Sequence, residues 1–158
     1  MTIRIKHTTT KNQRLPGNLG LSYAAGMLDG EGCICIAKRR SAQSKNGYNY
    51  RLRVIASQNH LRTLTDFQDL VGIAGLLYQI TRSPQAHRDQ FQLIYDGDKA
   101  AELLSALQPY LGRKQSEAVV ALQYQSACEV NRRFGRAGCP DSLWKLRESY
   151  YRKLRSMK

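Results

Sequence analysis

The stretch YAAGMLDGEGCICIA, Tyr23 to Ala37, changes its period halfway along. Leading into it, Leu21, Ala25 and Leu28 recur at helical spacing, and Asn18 stands where a helix running through Asp29 would be capped. Beyond it, Cys33 and Cys35 alternate with Ile34 and Ile36, which is the pattern of a strand. Asp29 and Glu31 fall at the joint. They are the only acids between Met1 and Thr65, a span that holds eleven Lys and Arg. Gly26 and Gly30 lie one helical turn apart. A glycine inside a helix costs about 1 kcal/mol relative to Ala, so close packing of another backbone or a ligand is expected to justify the pair.

Working outward, residues 1–17 read as a flexible basic arm ending at Pro16 and Gly17. After the first strand, SAQSKNGYN reads as a loop and YRLRVIAS as a second strand. Asn59 is placed to cap HLRTLTDFQDLVG, with Leu64, Phe67 and Val71 at helical spacing and Gly72 suited to the C-terminal cap. GLLYQITR and QFQLIY form a second strand pair around SPQAHRD, and Asp98 is placed to cap KAAELLSALQPYLG. Two further helical segments, from Gln115 to about Phe134 and from Ser142 to about Met157, close the chain. The order predicts an α+β fold. Its αββαββα core, residues 18–125, carries an antiparallel four-stranded sheet with helices on one face, and residues 126–158 form a helical extension packed on it.

The charge says what the bare sheet face meets. With 25 Lys and Arg against 12 Asp and Glu among 158 residues, the net charge is +13. Neutralising phosphates releases counterions, so this sign points to a polyanion. An anionic membrane surface shares the sign. However, no apolar run approaches the ~18 residues of a bilayer span, and the basic start lacks the apolar stretch of a signal peptide. A soluble, intracellular protein is expected. Cys33, Cys35, Cys128 and Cys139 show no metal-ligand spacing and read as reduced, partly buried thiols, with a Cys128–Cys139 disulfide left open.

Alternation assigns the faces of the strands. In the second strand Tyr50, Leu52, Val54 and Ala56 suit a core, whereas Asn49, Arg51 and Arg53 face out with Arg39 of the first; Arg40 beside it is a further DNA-binding candidate. The later pair offers Gln79, Thr81, Gln90 and Gln92. Arg matches the major-groove edge of guanine, and Asn or Gln that of adenine. From Gly32 to Thr65 there are seven basic residues and no acid, unlike an ordinary solvated face, which mixes signs. Double-stranded DNA is the expected partner. A carboxylate beside such a face repels phosphate unless a cation lies between, and Mg2+ is typically held by one or two carboxylates plus phosphate oxygens. The two acids are therefore placed as a metal site for phosphodiester hydrolysis.

AAGMLDGEG, Ala24 to Gly32, resembles the LAGLIDADG motif in register, and LQPYLGRKQ, Leu107 to Gln115, resembles the segment after that family's last core helix. The chain is similar to LAGLIDADG homing endonucleases of the single-motif, homodimeric type. The resemblance implies that Glu31 and the Gly30 carbonyl bind Mg2+, or another divalent cation such as Mn2+ or Ca2+. It further implies that Gln58, Arg62 and Lys114 assist catalysis, and that motif helices pack together at the dimer axis through Ala25, Gly26 and Asp29. Asp29 is expected to be structural. ASP96-Gly97-Asp98 imitates the motif's end but follows a strand, which leaves one motif per chain, hence a homodimer and a pseudo-palindromic target. Two other readings of the scaffold stay open: a non-catalytic RNA-binding protein or maturase, and a transcription factor.

Overall fold

The computed structural model describes residues 2–7, 17–42, 44–80, 89–128 and 138–158. Within them the order is β1 (Thr2–Ile5), α1 (Asn18–Glu31), β2 (Gly32–Arg40), β3 (Tyr48–Gln58), α2 (Leu61–Val71), β4 (Leu76–Ile80), β5 (Gln90–Asp96), α3 (Asp98–Leu107), a 3-10 turn (Gln108–Tyr110), α4 (Gln115–Cys128) and α5 (Asp141–Ser156). The chain is α+β, as expected from its pattern. Its sheet holds five antiparallel strands in the order β1-β4-β5-β3-β2 rather than four.

The fifth strand comes from the segment read as an arm. Thr2, Arg4 and Ile3, Ile5 alternate like any strand, and β1 lies antiparallel on β4 with Arg4 opposite Tyr78 and Ile5 opposite Leu77. His7 Nε2 then meets Asp69 Oδ1 of α2 at 3.2 Å, holding the strand's end. Residues 8–16 of that segment, and 129–137 between α4 and α5, lie outside the described residues.

Helix starts differ from expectation by one residue. The caps are Gly17, His60 and Gly97, with no side-chain cap bond, and Asn18 and Asp98 lie just inside. Their side chains serve tertiary contacts instead: Tyr110 Oη donates to Asn18 Oδ1, and Gln125 Nε2 donates to Asp98 Oδ1. Gly72 does end α2 in the left-handed region, at φ 69°.

One core lies between the sheet and its helices. Ile34, Ile36, Leu52, Val54, Ala56, Leu77, Leu93 and Tyr95 face it from the strands; Ala24, Ala25, Leu28, Leu64, Phe67, Leu103, Leu104 and Leu107 meet them from α1, α2 and α3. Tyr124 of α4 and Leu154 of α5 extend it towards β2. The joint between α1 and β2 is tight. A Cβ on Gly32 would sit 2.2 Å from Leu28 Cδ1 and 2.6 Å from the Leu28 carbonyl oxygen, so only glycine lets the chain turn from helix into strand at that distance.

The extension is clamped to β2 by charge. Lys38 Nζ donates to Glu148 Oε2 of α5 at 2.7 Å, Tyr50 Oη donates to the same oxygen, and Arg152 Nε reaches Oε1 at 3.0 Å. Burial pushes the Glu148 carboxyl up, but the hydrogen bonds from Lys38, Tyr50 and Arg152 outweigh it and bring it down to about 2.

Candidate nucleic-acid interface and cleavage site

Directly paired residues of antiparallel strands share a face, so the registers sort every candidate. On the helix-free face, Arg39 sits opposite Asn49 and Ala37 opposite Arg51. Arg53 pairs with Asp96, Ser57 with Gln92, Gln92 with Tyr78, and Gln90 with Ile80. Asn49, Arg51, Arg53, Gln90, Gln92 and Arg39 thus share one surface. Two residues do not join them. Gln79 lies opposite Phe91, on the helix side with Leu77 and Leu93, because its parity is that of the core residues rather than of Gln90 and Gln92. Arg40 pairs with Tyr48 and has the parity of Lys38, at the exposed helix-side end of β2. Thr81 lies outside the described residues.

The register also brings residues to this face that sequence reading passed over. Tyr78, Leu76 and Ile80 face out from β4, Ile94 from β5, and Arg4 from β1. The period-two pattern anchored on Leu77 and Leu93 carries the signal for β4; nothing local separates β1 from a loose arm. Leu76, Tyr78, Ile80, Gln92, Ile94, Arg53 and Asp96 form the floor of a trough whose walls include Thr2 of β1 and Arg39 of β2. The basic end of the β2–β3 hairpin opens into a wider basin of about 710 Å³, lined by Arg39, Lys45, Arg51, Arg53 and Arg147 among others. Arg53 is not loose within it. Its Nε and Nη2 grip Asp96 Oδ1 and Oδ2 at 2.6 and 2.7 Å, a bidentate pair that fixes the guanidinium.

At the α1–β2 joint the two acids have opposite environments. Asp29 is fully engaged: Oδ2 accepts from Gly112 N at 2.7 Å and Oδ1 from Lys114 N at 2.8 Å. Its carbonyl accepts from Arg113 Nη2 at 2.9 Å and from Lys114 Nζ. Asp29 therefore pins the turn before α4, and with it Lys114, against the end of α1. Burial first, then the neighbouring Arg113, pull the Lys114 ammonium below the ordinary lysine range, against the opposing pull of Glu117 and Asp29. Glu31, in contrast, is exposed, and no ion pair or hydrogen bond of its carboxylate occurs among the described residues. Gly30 belongs to the last turn of α1, where helix carbonyls lack intrahelical partners.

Gln58 and Arg62 come from the neighbouring elements. Gly32 pairs with Ala56, which sets the end of β3, and Gln58 with it, beside the start of β2. Arg62 is solvent-exposed in the first turn of α2, 3.6 Å from Asp66. Cys33, Cys35, Cys128 and Cys139 form no disulfide among the described residues; Arg147 lies between the last two, donating to the Cys128 carbonyl and to Cys139 Sγ. Two residues after Glu31, Cys33 Sγ receives Lys158 Nζ at 2.8 Å; a hydrogen bond from Cys35 and this lysine pull its thiol below the ordinary cysteine range, against burial.

α1 has a second apolar side that is left open among the described residues. Leu19 and Tyr23 are 66% and 57% exposed, and a Cβ on Gly26 or Gly30 would meet only open space. Leu19, Tyr23, Gly26 and Gly30 form one stripe at helical spacing. Ala25, expected on this seam, is 0% exposed and belongs to the opposite stripe with Ala24 and Leu28, inside the core. A residue cannot occupy both sides of a helix.

The donors at the joint are hard oxygens, a carboxylate and a main-chain carbonyl, which suits Mg2+ or Ca2+ and not a soft metal. One chain alone does not enclose an ion. No group of three His, Cys, Asp or Glu that could hold one occurs among the described residues.

Comparison with known proteins gives this arrangement its context. In structure the chain is similar to I-CvuI, a homing endonuclease solved in complex with its target in the presence of calcium, at TM-score 0.72 and 20% identity, covering 89% of this chain and 82% of that one. It is similar to I-Vdi141I, an archaeal intron-encoded homing endonuclease complexed with DNA, at TM-score 0.71 and 12% identity, covering 89% and 85%. Against I-LtrWI, a LAGLIDADG homing endonuclease bound to target DNA, the TM-score is 0.66 at 17% identity, with 89% of this chain covering only 46% of that one. No curated protein matches in sequence. The sequence model of the LAGLIDADG endonucleases matches residues 24–131, beginning at Ala24 of the motif and running through the sheet, Asp29's turn and α4. With two thirds of its length under that model, the chain belongs to the LAGLIDADG endonuclease family.

Proposed function

We propose that the protein is a homodimeric, divalent-metal-dependent endonuclease that makes double-strand breaks at a pseudo-palindromic DNA site. One observation carries this reading: Glu31 is an exposed carboxylate without a cationic partner in a strongly basic surface, at the end of a helix whose free side is bare. An acid so placed weakens binding to phosphate unless a cation bridges them, so a protein that only bound RNA or DNA would gain nothing from it.

Glu31 and the Gly30 carbonyl would hold the metal, with phosphate oxygens and the second subunit completing its shell. A divalent cation there lowers the pKa of a bound water and neutralises charge at the scissile phosphate. Lys114 is held against the Asp29 carbonyl, where it can offset charge developing on the phosphate or relay a proton to the leaving oxygen. Gln58, at the end of β3, can orient the attacking water through its amide. Arg62, extended from α2, contributes a charge-assisted contact to the phosphate. The sheet faces of two subunits read two half-sites through Asn49, Arg51, Gln90 and Gln92.

The Leu19, Tyr23, Gly26 and Gly30 stripe supplies the twofold seam: two helices can cross closely where both present glycine. Coverage of most of I-CvuI but under half of I-LtrWI supports one subunit-sized unit in this chain. The test is Glu31→Gln. It should abolish cleavage in Mg2+ while leaving DNA binding near wild type, and normal cutting by this variant would sink the proposal.

A further inference from the structure

The family model matches residues 24–131, so β1 lies outside the matched segment. The strand is nonetheless built into the sheet by its ladder to β4 and by the His7–Asp69 contact. Its outward residue Arg4 continues a row that crosses four of the five strands: Arg4 faces Tyr78, Tyr78 faces Gln92, and Gln92 faces Ser57. Arg4 is exposed, and no ion pair or hydrogen bond of its guanidinium occurs among the described residues.

Width then decides what an edge strand can touch. Five strands at about 4.8 Å spacing make a surface about 19 Å across, whereas the major groove is about 12 Å wide and admits about two strands. The middle strands can enter the groove, and the edges meet its walls, which are phosphate. Thr2 at one edge and Arg39 at the other line the same trough. The central strands carry Gln92, Tyr78, Asn49, Arg51 and Arg53 on this face, the last paired with Asp96, and the two edges carry Arg4 and Arg39.

We propose that β1 is a DNA-binding strand, and that Arg4 contacts a backbone phosphate on the groove wall opposite the one reached by Arg39. This rests on the DNA-binding reading of the sheet. A charged residue on an edge strand also guards against edge-to-edge pairing, but that task predicts a change in self-association and none in DNA affinity.

The test measures binding of the full chain to a mixed-sequence duplex of about 30 base pairs (three helical turns) across a series of salt concentrations, without Mg2+. Loss of one phosphate contact makes the plot of log affinity against log salt shallower by about one and weakens binding roughly eightfold at 0.1 M salt. Arg4→Ala should do both for each engaged chain with its melting temperature unchanged, and Arg4→Lys should restore the slope, since a point charge suffices for phosphate. An unchanged slope in Arg4→Ala overturns the proposal, as does failure of lysine to rescue, which would mark a bidentate base contact instead. If the wild-type chain shows no salt-dependent binding, the DNA reading of the sheet falls, and this proposal with it.

Discussion

Asp29 and Glu31 are two positions apart and use their charge in opposite ways. Asp29 spends both carboxylate oxygens on main-chain amides of Gly112 and Lys114, while Glu31 keeps its oxygens in solvent. Their isolation among cations was legible in the sequence and pointed to the joint. The division of labour was only partly so, because Asp29's partners lie more than eighty residues away and no local pattern announces them. Removing the Asp29 carboxylate takes the acceptor from two amides, of which Gly112 N is open to water and Lys114 N is part-buried. Asp29→Ala should therefore lower unfolding stability by about 1 kcal/mol in a denaturant titration, with Lys114 released from its position. A variant as stable as wild type would mean the turn is held by other contacts.

At the scale of elements, type and order followed from periodicity, and errors arose where one residue of parity matters. Gln79 was misplaced because Gln is polar on either face; only pairing with Phe91 shows which side it takes. β1 escaped notice because four residues of alternation are too few to distinguish a strand from an arm until β4 offers its edge. α1 carries the most consequential ambiguity: both of its sides are apolar or small, so the sequence shows a helix without saying which stripe is core. The structure buries Ala24, Ala25 and Leu28 and leaves Gly26 open. Gly26→Arg should be accommodated by the isolated subunit, since nothing lies within 4 Å of the new Cβ, yet should block the seam. Sedimentation should show monomers, and plasmid cleavage should be lost with the melting temperature little changed. A dimeric Gly26→Arg protein would place the twofold axis elsewhere.

At the scale of the molecule, α5 is joined to the reading sheet by the Glu148 clamp. The Glu148 carboxyl lies near 2 when folded, below the ordinary value of 4.5. A depressed carboxylate stabilises the fold above its unfolded pKa, so this contribution is intact above pH 4.5 and fades as pH falls towards 2. Trp144, on α5, gives the readout: near-ultraviolet circular dichroism should show α5 loosening in that window. Glu148→Gln should flatten the acid limb, and an unchanged acid profile would remove the clamp as its cause.

The bare glycine stripe has a consequence for dosage. In the dimeric reading proposed above, the seam along the flank of α1 makes cutting a second-order property of the protein. Below the concentration at which subunits pair, halving the number of copies would quarter the number of competent dimers.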